Sequence, residues 1–466
     1  MPSIKSGLQK LLKDKLLILL IASIIIVLML PAIFMFPSNA GSAEAALATS
    51  EEFRNSALWL FDNTLVPVLM LAALLMLFDL ILRRRITVLK KRAKTLTAII
   101  ILLMATPALL VNSMDMSSRG DPARQQPLAN KVIIVTFDGA RADVFWSMDH
   151  WITQHRDEGA WAKKFVATYP TVTYPNHISI VTGTWPQIHG CELGPGYFKE
   201  RRHLILRNFM EPTAEDIFEI ADDYGIITAT FFAPRTLSSF IGDSNTTRLG
   251  GGEALPNIDQ ALEFITEHEE EIEENGLLMF IHLVDSDEAI HEFSTDSREY
   301  RSAITMEGNL IGRLISNIMA KGWANDTVII VTADHGGIGY GHFNRFPTLV
   351  DEVPFWVWGG PIQPGAVISG GRLIDIAPTV AFILGIRKPK ECVGVVLYRI
   401  FRQDVLENLR GISDVESLIL REYSASLRRA YLDVVIYLLG FVIVIFILLL
   451  VARDLIVRGR IIRRLA

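Results

Sequence analysis

Cysteine is scarce in this chain, which has 466 residues but only two cysteines, Cys191 and Cys392. So few thiols exclude a disulfide-dense scaffold and a zinc site built from four cysteines. The sequence leaves two states of these thiols open. They could form one disulfide in an oxidising compartment, or they could remain two unpaired, buried thiols.

Familiar signals for nucleotide and nucleic-acid binding are also missing. The chain contains no Walker-type loop, no Gly-x-Gly-x-x-Gly fingerprint and no basic patch interleaved with aromatic residues. It shows no internal repeat, and its net charge of −6 is unremarkable for a chain of this length. These absences give no reason to expect a nucleic-acid partner, and nothing in the sequence indicates an oligomeric state.

Apolar residues, by contrast, make up 50% of the chain and are concentrated in long runs. Runs of this kind are typical of transmembrane helices. We predict four such helices, at about residues 16–36, 58–82, 96–111 and 434–451. A cleavable signal peptide is the alternative for the first run, which is longer than the roughly 7–15 apolar residues of most signal sequences.

Basic residues cluster on one side of the predicted spans. They lie before the first span, in the short 83–94 loop between the second and third spans, and after the fourth span. Basic loops face the cytoplasm, so we predict an integral plasma-membrane protein with both termini cytoplasmic. The predicted regions are a membrane region at 1–114, a linker at 115–130, an extracytoplasmic domain at 131–402, a helical stalk at 403–430, and a final span with a basic tail at 431–466.

Short apolar runs alternate with helical patterns in the extracytoplasmic part. The predicted strands are 131–137, 225–232, 277–284, 328–333 and 353–358, and the predicted helices are 214–223, 258–274, 297–321 and 377–384. Continuous runs rich in β-branched residues are typical of strands that are buried on both faces. This alternation predicts an α/β domain with a largely parallel sheet flanked by helices.

One stretch within this domain, from Tyr169 to Gly190, is organised around Thr173. Pro170 and Pro175 exclude a regular helix interior at its start, whereas the chain can turn helical beyond Asn176. Thr173 is therefore expected in a rigid turn just before a helix. A hydroxyl in that position can lie near backbone N–H groups that favour an anion.

Three predicted strands end in residues that can bind metal. The first leads to Asp138, the second to Asp287 and His291, and the third to Asp334, His335 and, after a glycine-rich turn, His342. In a parallel sheet, ligands gather beyond the carboxyl ends of the strands. Asp287 and His291 are also four residues apart, so one helical turn can direct both at one ion.

This set of residues suits two divalent ions. Mixed imidazole and carboxylate ligands favour zinc, with manganese or iron as alternatives. Two such ions about 4 Å apart would clamp the attacking and leaving oxygens of a phosphoryl group. A threonine hydroxyl is a poor nucleophile at neutral pH unless a metal or base lowers its pKa.

The motifs resemble the alkaline phosphatase superfamily and, within it, the type I phosphodiesterase/nucleotide pyrophosphatase branch. The similar segments are Asp138-Gly, Thr173-Tyr-Pro-Asn-His177, Thr182-Gly, His189-Gly, Asp287 with His291, Asp334-His335-Gly and Asp375-Ile-Ala-Pro-Thr379. The resemblance covers about residues 131–398 and leaves out the predicted spans. It implies an alkaline-phosphatase-like fold in which Thr173 is the nucleophile and is transiently phosphorylated.

The resemblance also implies two ligand sets. One ion would be bound by Asp138, Thr173, Asp334 and His335, and the other by Asp287 and His291. The late histidine that completes the second set in nucleotide-cleaving members has no counterpart at 390–394, and we predict that His342 replaces it. Asp285 competes with Asp287 as a ligand, and the spacing to His291 favours Asp287. Gly194 stands where those members carry a phosphate-binding asparagine, which weakens nucleotide cleavage in particular.

Other polar residues of these segments are expected to have structural roles. We predict that His177 and His189 are hydrogen-bonding residues and that His282 is a buried core residue of its strand. Asn245-Thr-Thr and Asn325-Asp-Thr fit the N-glycosylation pattern and would face outside the cytoplasm.

The sequence thus predicts a membrane-anchored, metal-dependent phosphodiesterase that acts outside the cytoplasm. Its partners would be the lipid bilayer and a phosphodiester substrate, either lipid-linked or a nucleotide. One alternative is a phosphoethanolamine-type phosphotransferase acting on a lipid or glycan. The other is a non-catalytic membrane scaffold with a phosphatase-like domain.

Overall fold

The computed structural model describes one folded part of the chain. The described residues are 44–45, 47–49, 51–52, 54, 123–191, 212–233, 237, 240–243, 245–251, 253–342 and 348–426. They belong to one compact unit, which combines residues 39–59 with residues 120–426. The four apolar runs predicted to be transmembrane helices lie outside the described residues, so they stay predictions. Within the described ranges, no helix has both the length and the apolar character needed to span a bilayer.

Eleven strands build two sheets in this unit. In chain order they are β1 (Lys131–Phe137), β2 (Ala160–Ala162), β3 (Phe165–Val166), β4 (Ile227–Phe231), β5 (Thr247–Leu249), β6 (Leu277–Leu283), β7 (Thr327–Ala333), β8 (Glu352–Val353), β9 (Phe355–Gly359), β10 (Val367–Ile368) and β11 (Gly371–Arg372). The large sheet has eight strands in the order β10-β2-β9-β7-β1-β6-β4-β5, and the small sheet has the order β11-β3-β8.

The large sheet is mostly parallel, as the alternation of strands and helices predicts. The pairs along β7-β1-β6-β4-β5 are all parallel, and β10 is parallel to β2. Strand β9 is the exception, because it runs antiparallel to both β7 and β2. The α/β prediction is therefore confirmed, with a mixed rather than purely parallel sheet.

The three central strands lie in the core and end at the same level. Every residue of β1, β6 and β7 is buried, which fits their continuous apolar sequences. Phe137 at the end of β1 lies level with Leu283 of β6 and Ala333 of β7. The residues that follow these strands therefore emerge together at one edge of the sheet.

Twelve α-helices with defined ends lie among the described residues. They are α1 (Ala142–Ser147), α2 (Trp151–Gln154), α3 (Thr173–Thr182), α4 (Pro186–His189), α5 (Ile217–Asp223), α6 (Ala254–Glu267), α7 (Glu269–Asn275), α8 (Asp285–Phe293), α9 (Arg298–Ala320), α10 (Thr348–Asp351), α11 (Ile376–Leu384) and α12 (Gln403–Arg410). The helix predicted at 258–274 is in fact two helices, α6 and α7, which meet at His268. The other predicted helices differ from the observed ones by a few residues at their ends.

The predicted stalk at 403–430 begins with two helical segments. Helix α12 ends at Gly411, whose positive φ of 63° terminates it, and residues 415–426 are helical again. Glu422 in this second segment accepts hydrogen bonds from the Val396 backbone N–H (3.2 Å) and the Tyr398 hydroxyl (2.9 Å). The described end of the segment therefore packs against the domain.

A helical segment from the N-terminal region also packs on this unit. Its described residues within 44–54 are all helical, and Leu47 and Ala48 are buried. Glu51 accepts a hydrogen bond from the indole N–H of Trp185 at 2.9 Å. This segment, which lies between the first two predicted spans, is thus part of the same compact unit as residues 123–426.

Candidate active site

The predicted metal-binding residues emerge at the edge where β1, β6 and β7 end. Asp138 follows β1, Asp334 follows β7, and α8 begins two residues after β6. Because the three strands end at the same level, these residues converge although they are far apart in sequence. Thr173 reaches the same place from the N-terminus of α3.

His335 lies at the centre of the first group. Its Nε2 atom is 3.4 Å from Asp138 Oδ1, 3.4 Å from Asp334 Oδ2 and 3.4 Å from Thr173 Oγ1. Asp138, Asp334 and His335 are buried, whereas Thr173 is half-buried. The structure thus brings together all four residues that the family resemblance assigns to one ion.

Asp287 lies at the centre of the second group, with His291 and His342. Ligand atoms of these three residues lie within 4.8 Å of one another. Asp287 Oδ2 is 3.4 Å from His291 Nε2, and the His291 and His342 rings are 5.4 Å apart. Asp287 also lies within the same 4.8 Å limit of Asp138 and His335. One carboxylate is therefore shared by the two groups, as expected of adjacent ions.

The three histidines of the site are held in the same way. In His335, His291 and His342, the Nδ1 atom lies 2.9, 3.2 and 2.8 Å from the backbone oxygens of Gly336, Tyr340 and Thr171. A carbonyl only accepts hydrogen bonds, so each Nδ1 carries the proton and each Nε2 is the nitrogen that would ligate. Such bonds fix the tautomer and the ring orientation of metal-binding histidines.

Three carboxylate oxygens at the site are buried and accept no hydrogen bond from the described residues. They are Asp138 Oδ1, Asp334 Oδ2 and Asp287 Oδ1. Burial and the neighbouring Asp334 and Asp287 raise the pKa of Asp138 well above its usual value. Burial also raises the pKa of Asp334. A bound cation would satisfy these oxygens and favour their ionised form, so the residues fit a divalent metal pair.

Contacts with the histidines lower the pKa of the shared carboxylate. Burial by itself favours the neutral form of Asp287, yet the hydrogen bond from His291 and the nearby His335 and His342 outweigh it and lower the pKa of Asp287. The same contact raises the pKa of His291, which is the most exposed of the three rings. Asp287 therefore remains an ionised ligand at neutral pH.

The other candidate of this segment, Asp285, lies apart from both groups. Its Oδ1 atom accepts a hydrogen bond from the Ala254 backbone N–H at 3.3 Å, at the start of α6. The structure therefore places Asp287, and not Asp285, with His291. The role of Asp287 as the ligand stays a prediction, and this position agrees with it.

Thr173 is the first residue of α3, so the helix begins at Thr173 and not beyond Asn176, and the turn predicted at Thr173 lies just before it. The preceding turn is braced by Asn176, whose side chain bonds to the Val172 and Pro170 carbonyls (3.1 Å each) and to the Thr168 N–H (2.8 Å). The helix N-terminus carries a partial positive charge. The Thr173 hydroxyl is thus held beside His335 where a phosphate would be attracted.

Several residues that support the site were not assigned to it from the sequence. His282 Nε2 lies 2.9 Å from Asp138 Oδ2, and Ser286 donates to the Asp138 carbonyl at 2.6 Å. The Tyr300 hydroxyl donates to the Gly139 carbonyl at 2.8 Å. The sequence signal for these supporting residues was His282, a histidine inside the apolar strand β6, and it was interpreted as a core residue.

His177 and His189 have the hydrogen bonds expected of structural residues. His177 contacts the Thr136 hydroxyl (2.9 Å) and the Thr173 carbonyl (2.8 Å). His189 Nε2 contacts the Ser179 hydroxyl at 3.0 Å. Both are fully buried, and burial lowers the pKa of each to about 3, so both rings are neutral.

Two further predictions concern residues away from the site. Cys191 and Cys392 are both buried and no disulfide joins them, so the alternative of a disulfide is not observed. Asn245 and Asn325 are exposed, and glycosylation at either stays a prediction.

Sequence comparisons agree with the motifs at this site. Residues 132–191 and 225–347 match the family model described as type I phosphodiesterase / nucleotide pyrophosphatase. These segments contain Asp138, Thr173, Asp287, His291, Asp334, His335 and His342. The resemblance predicted from the motifs is confirmed for these two segments.

Individual relatives are distant. Venom phosphodiesterase of Macrovipera lebetinus is 25% identical over 250 residues, which cover 51% of this chain and 29% of the relative. GPI ethanolamine phosphate transferase 1 of Candida glabrata is 22% identical over 345 residues, covering 64% of this chain and 36% of the relative. This chain therefore spans about a third of the length of each. The solved structure of murine ectonucleotide pyrophosphatase / phosphodiesterase 5 is 14% identical with a TM-score of 0.44, covering 55% of this chain and 96% of that chain.

Proposed function

We propose that this protein is a metal-dependent phosphodiesterase. The premise is that residues 132–191 and 225–347 match the type I phosphodiesterase / nucleotide pyrophosphatase family. In this proposal Thr173 is the nucleophile and carries a phosphoryl group transiently. The observation that carries the proposal is the position of Thr173 Oγ1, 3.4 Å from His335 Nε2 beside two buried carboxylates.

Two divalent ions would be held by this chain's own residues, and zinc suits the ligand set best. Asp138, Thr173, Asp334 and His335 would hold one ion, and Asp287, His291 and His342 the other. When bound, such ions lower the pKa of a coordinated hydroxyl and neutralise charge that develops on the phosphoryl oxygens. Three buried, unpartnered carboxylate oxygens support this proposal, because they require a positive charge nearby.

The reaction divides into two displacements. Thr173 Oγ1 loses its proton and attacks phosphorus, so that a P–O bond to Thr173 forms as the bond to the leaving oxygen breaks. The leaving oxygen takes up a proton and departs as an alcohol. Water then attacks phosphorus of this intermediate, which keeps the second ester group of the substrate. The P–O bond to Thr173 breaks, a proton from the water restores the Thr173 hydroxyl, and a phosphomonoester is released. The N-terminus of α3 stabilises the anionic group throughout.

Binding and orientation are the contributions of the surrounding residues. Asn176 and His177 hold the Thr173 turn, and His282 holds Asp138. Fixing the nucleophile in this way removes much of the entropic cost of bringing it to phosphorus. The substrate in this proposal is a phosphodiester, either lipid-linked or a nucleotide. The predicted spans favour a lipid-linked substrate, because they would tether the domain beside a bilayer outside the cytoplasm.

Hydrolysis of a chromogenic phosphodiester and a matched phosphomonoester tests the proposal. We expect diester cleavage by the wild type, loss of at least about 1,000-fold in Thr173→Ala, and partial retention in Thr173→Ser. A chelator is expected to abolish activity, and added zinc to restore it. Equal activity in Thr173→Ala would exclude Thr173 as the nucleophile.

A second candidate function is phosphoethanolamine-type transfer to a lipid or glycan. The match to the Candida glabrata transferase covers more of this chain than the venom phosphodiesterase match does, which favours this alternative. In such a reaction an acceptor hydroxyl replaces water in the second displacement. Adding a hydroxyl acceptor to the diester assay separates the two, since a transferase yields phosphorylated acceptor and a hydrolase yields free phosphomonoester.

The third candidate is a membrane scaffold whose phosphatase-like domain does not turn over. Such a protein need not bind two ions, and it would leave both test substrates intact. The shared position of Asp287 between two ligand groups argues against it, because a scaffold has no need of buried, unpartnered carboxylates.

A further inference from the structure

The helical segment at 44–54, which precedes the second predicted span, is connected through Gln187 to the turn that carries Thr173. Arg54 is 4% exposed and Glu51 is 1% exposed, so both charged side chains are buried in the domain. Arg54 donates to Glu51 Oε1 at 2.9 Å, and Glu51 Oε2 accepts from the indole N–H of Trp185 at 2.9 Å. A buried pair of this kind is costly unless its hydrogen bonds are satisfied, as they are here.

On the domain side, this segment contacts Trp185 and Gln187. The guanidinium of Arg54 lies 4.5 Å from the centre of the Trp185 ring, a cation–π contact with a fully buried indole. Its other nitrogen donates to Gln187 Oε1 at 2.5 Å. Trp185 is the N-cap of α4 and Gln187 is its second residue, so Arg54 contacts the N-terminal end of this short helix.

From Gln187 the contacts continue into the nucleophile turn. Gln187 Nε2 donates to the Tyr169 carbonyl at 3.4 Å, four residues before Thr173. Two residues further on, the Thr171 carbonyl accepts from His342 Nδ1 at 2.8 Å, and the Thr171 hydroxyl donates to the His342 carbonyl at 3.1 Å. Hydrogen bonds therefore join Arg54 through Gln187 to Tyr169, and the backbone of residues 169–171 connects this contact to the pair formed by Thr171 and His342.

We propose that Arg54 is a positioning residue for the nucleophile, acting through Gln187 on the turn at 169–173. The segment 44–54 would then be a working part of the catalytic domain and not only a loop between spans. This inference rests on the proposed function of Thr173. Its physical basis is that a displacement of about 1 Å at a reacting group can cost on the order of 100-fold in rate.

Two variants of this connection and one matched control test the proposal in the full-length protein. Arg54→Met keeps an unbranched stem over Trp185 but removes both hydrogen bonds. Gln187→Leu removes the link to Tyr169 and leaves the Arg54–Glu51 pair in place. Lys164→Met breaks a different contact of the same segment, the 2.6 Å ion pair between Lys164 and Glu52, without touching the nucleophile turn.

Hydrogen–deuterium exchange of the metal-free protein is the first readout, because it does not depend on catalysis. We expect faster amide exchange across residues 169–177 in Arg54→Met and Gln187→Leu, and wild-type exchange there in Lys164→Met. In the diester assay, kcat should fall roughly 10-fold or more in the first two variants with KM within about twofold. Arg54→Lys, which retains a donor, should recover part of the lost kcat.

The outcomes separate this inference from the proposed function. Wild-type exchange in both Arg54→Met and Gln187→Leu, or the same faster exchange in Lys164→Met, would overturn the positioning role and leave only a structural one. A wild-type protein without diester cleavage would overturn the proposed function, whereas the exchange result would still report on the connection from Arg54 to the turn.

Discussion

His282 lies within hydrogen-bond distance of Asp138, with 2.9 Å between Nε2 and Oδ2, in the interior of the domain. Their strands are adjacent, and His282 lies level with Thr136, two residues before Asp138. When a bound cation keeps Asp138 ionised, its carboxylate only accepts hydrogen bonds, so Nε2 of the neutral His282 must donate. The contact leaves Asp138 Oδ1 to face His335 Nε2 at 3.4 Å.

Removing this hydrogen bond should weaken metal binding more than folding. We expect His282→Leu to lose roughly 10- to 100-fold in zinc affinity at one of the two sites, because Asp138 would no longer be oriented by its partner. Competition with a chromogenic chelator measures this affinity. His150→Leu is the matched control, since His150 is equally buried but bonds to the Phe145 carbonyl away from the site. The same loss in both variants would contradict the role of His282.

Much of the sheet could be predicted from the sequence because its central strands are continuous apolar runs. The ends of β1 and β7 place Asp138 and Asp334 correctly, since parallel strands in register end together. The direction of β9 could not be predicted, because an apolar run buried on both faces has the same pattern in either direction.

The supporting contacts of the site were beyond prediction for a different reason. Ser286, Tyr300 and His282 act on Asp138 and Gly139 from more than 140 positions away in the sequence. A histidine in a strand has no pattern that distinguishes a satisfied core residue from a partner of a ligand. The contacts of residues 44–54 with the domain were not predicted, because this segment lies between two predicted spans and was assigned to the membrane region at 1–114.

Asp285 and Asp287 differ by two positions but should respond very differently to the same substitution. Asp287→Asn is expected to lower diester cleavage by at least about 100-fold, because the residue is shared by both ligand groups. Asp285→Asn removes only a negative charge at the start of α6, because the amide oxygen can still accept from the Ala254 N–H, and we expect it to cost less than the roughly 1 kcal/mol of a lost cap. Thermal unfolding and kcat/KM measured on both variants check this. Equal losses of activity would show that Asp285 has been misplaced.

Glu307 should make stability depend on pH. It is fully buried in α9, where Oε1 accepts from the Ser286 N–H at 3.3 Å and Oε2 has no partner among the described residues. Burial raises the pKa of Glu307 to about 8. The folded protein thus binds this proton more tightly than the unfolded chain does, so its contribution to stability is full below about pH 4.3 and is lost as pH rises through about 8.

The substitution Glu307→Gln fixes the neutral form and should remove this dependence. Urea unfolding between pH 5 and pH 8.5 is expected to show the free energy of unfolding of the wild type falling relative to that of Glu307→Gln as pH rises. Glu299→Gln, an exposed position of the same helix, is the control. A constant difference between wild type and Glu307→Gln across this range would contradict the pKa shift.

The packing of the described residues of 44–54 on the domain bears on the predicted spans. Parts of one compact unit lie on the same side of a bilayer, so the prediction requires an even number of crossings between residues 54 and 123. The two predicted spans at 58–82 and 96–111 satisfy this condition and place the 83–94 loop on the opposite side.

Labelling with a membrane-impermeant maleimide on intact cells tests this arrangement. Arg301→Cys, at an exposed position of α9, should be labelled, and Lys90→Cys should be labelled only after permeabilisation. The native thiols are both buried, so they should contribute little background. Labelling of Lys90→Cys on intact cells would contradict the predicted orientation.

The proposed binding of two ions around the shared Asp287 is tested most directly by the metal content of the purified full-length protein. Inductively coupled plasma mass spectrometry after zinc loading and removal of free metal should find two zinc ions per chain. In Asp287→Asn, measured in parallel at the same folded fraction, the content should fall below two. A wild-type protein that retains no ion, or an Asp287→Asn variant that still retains two, would contradict a shared two-ion site.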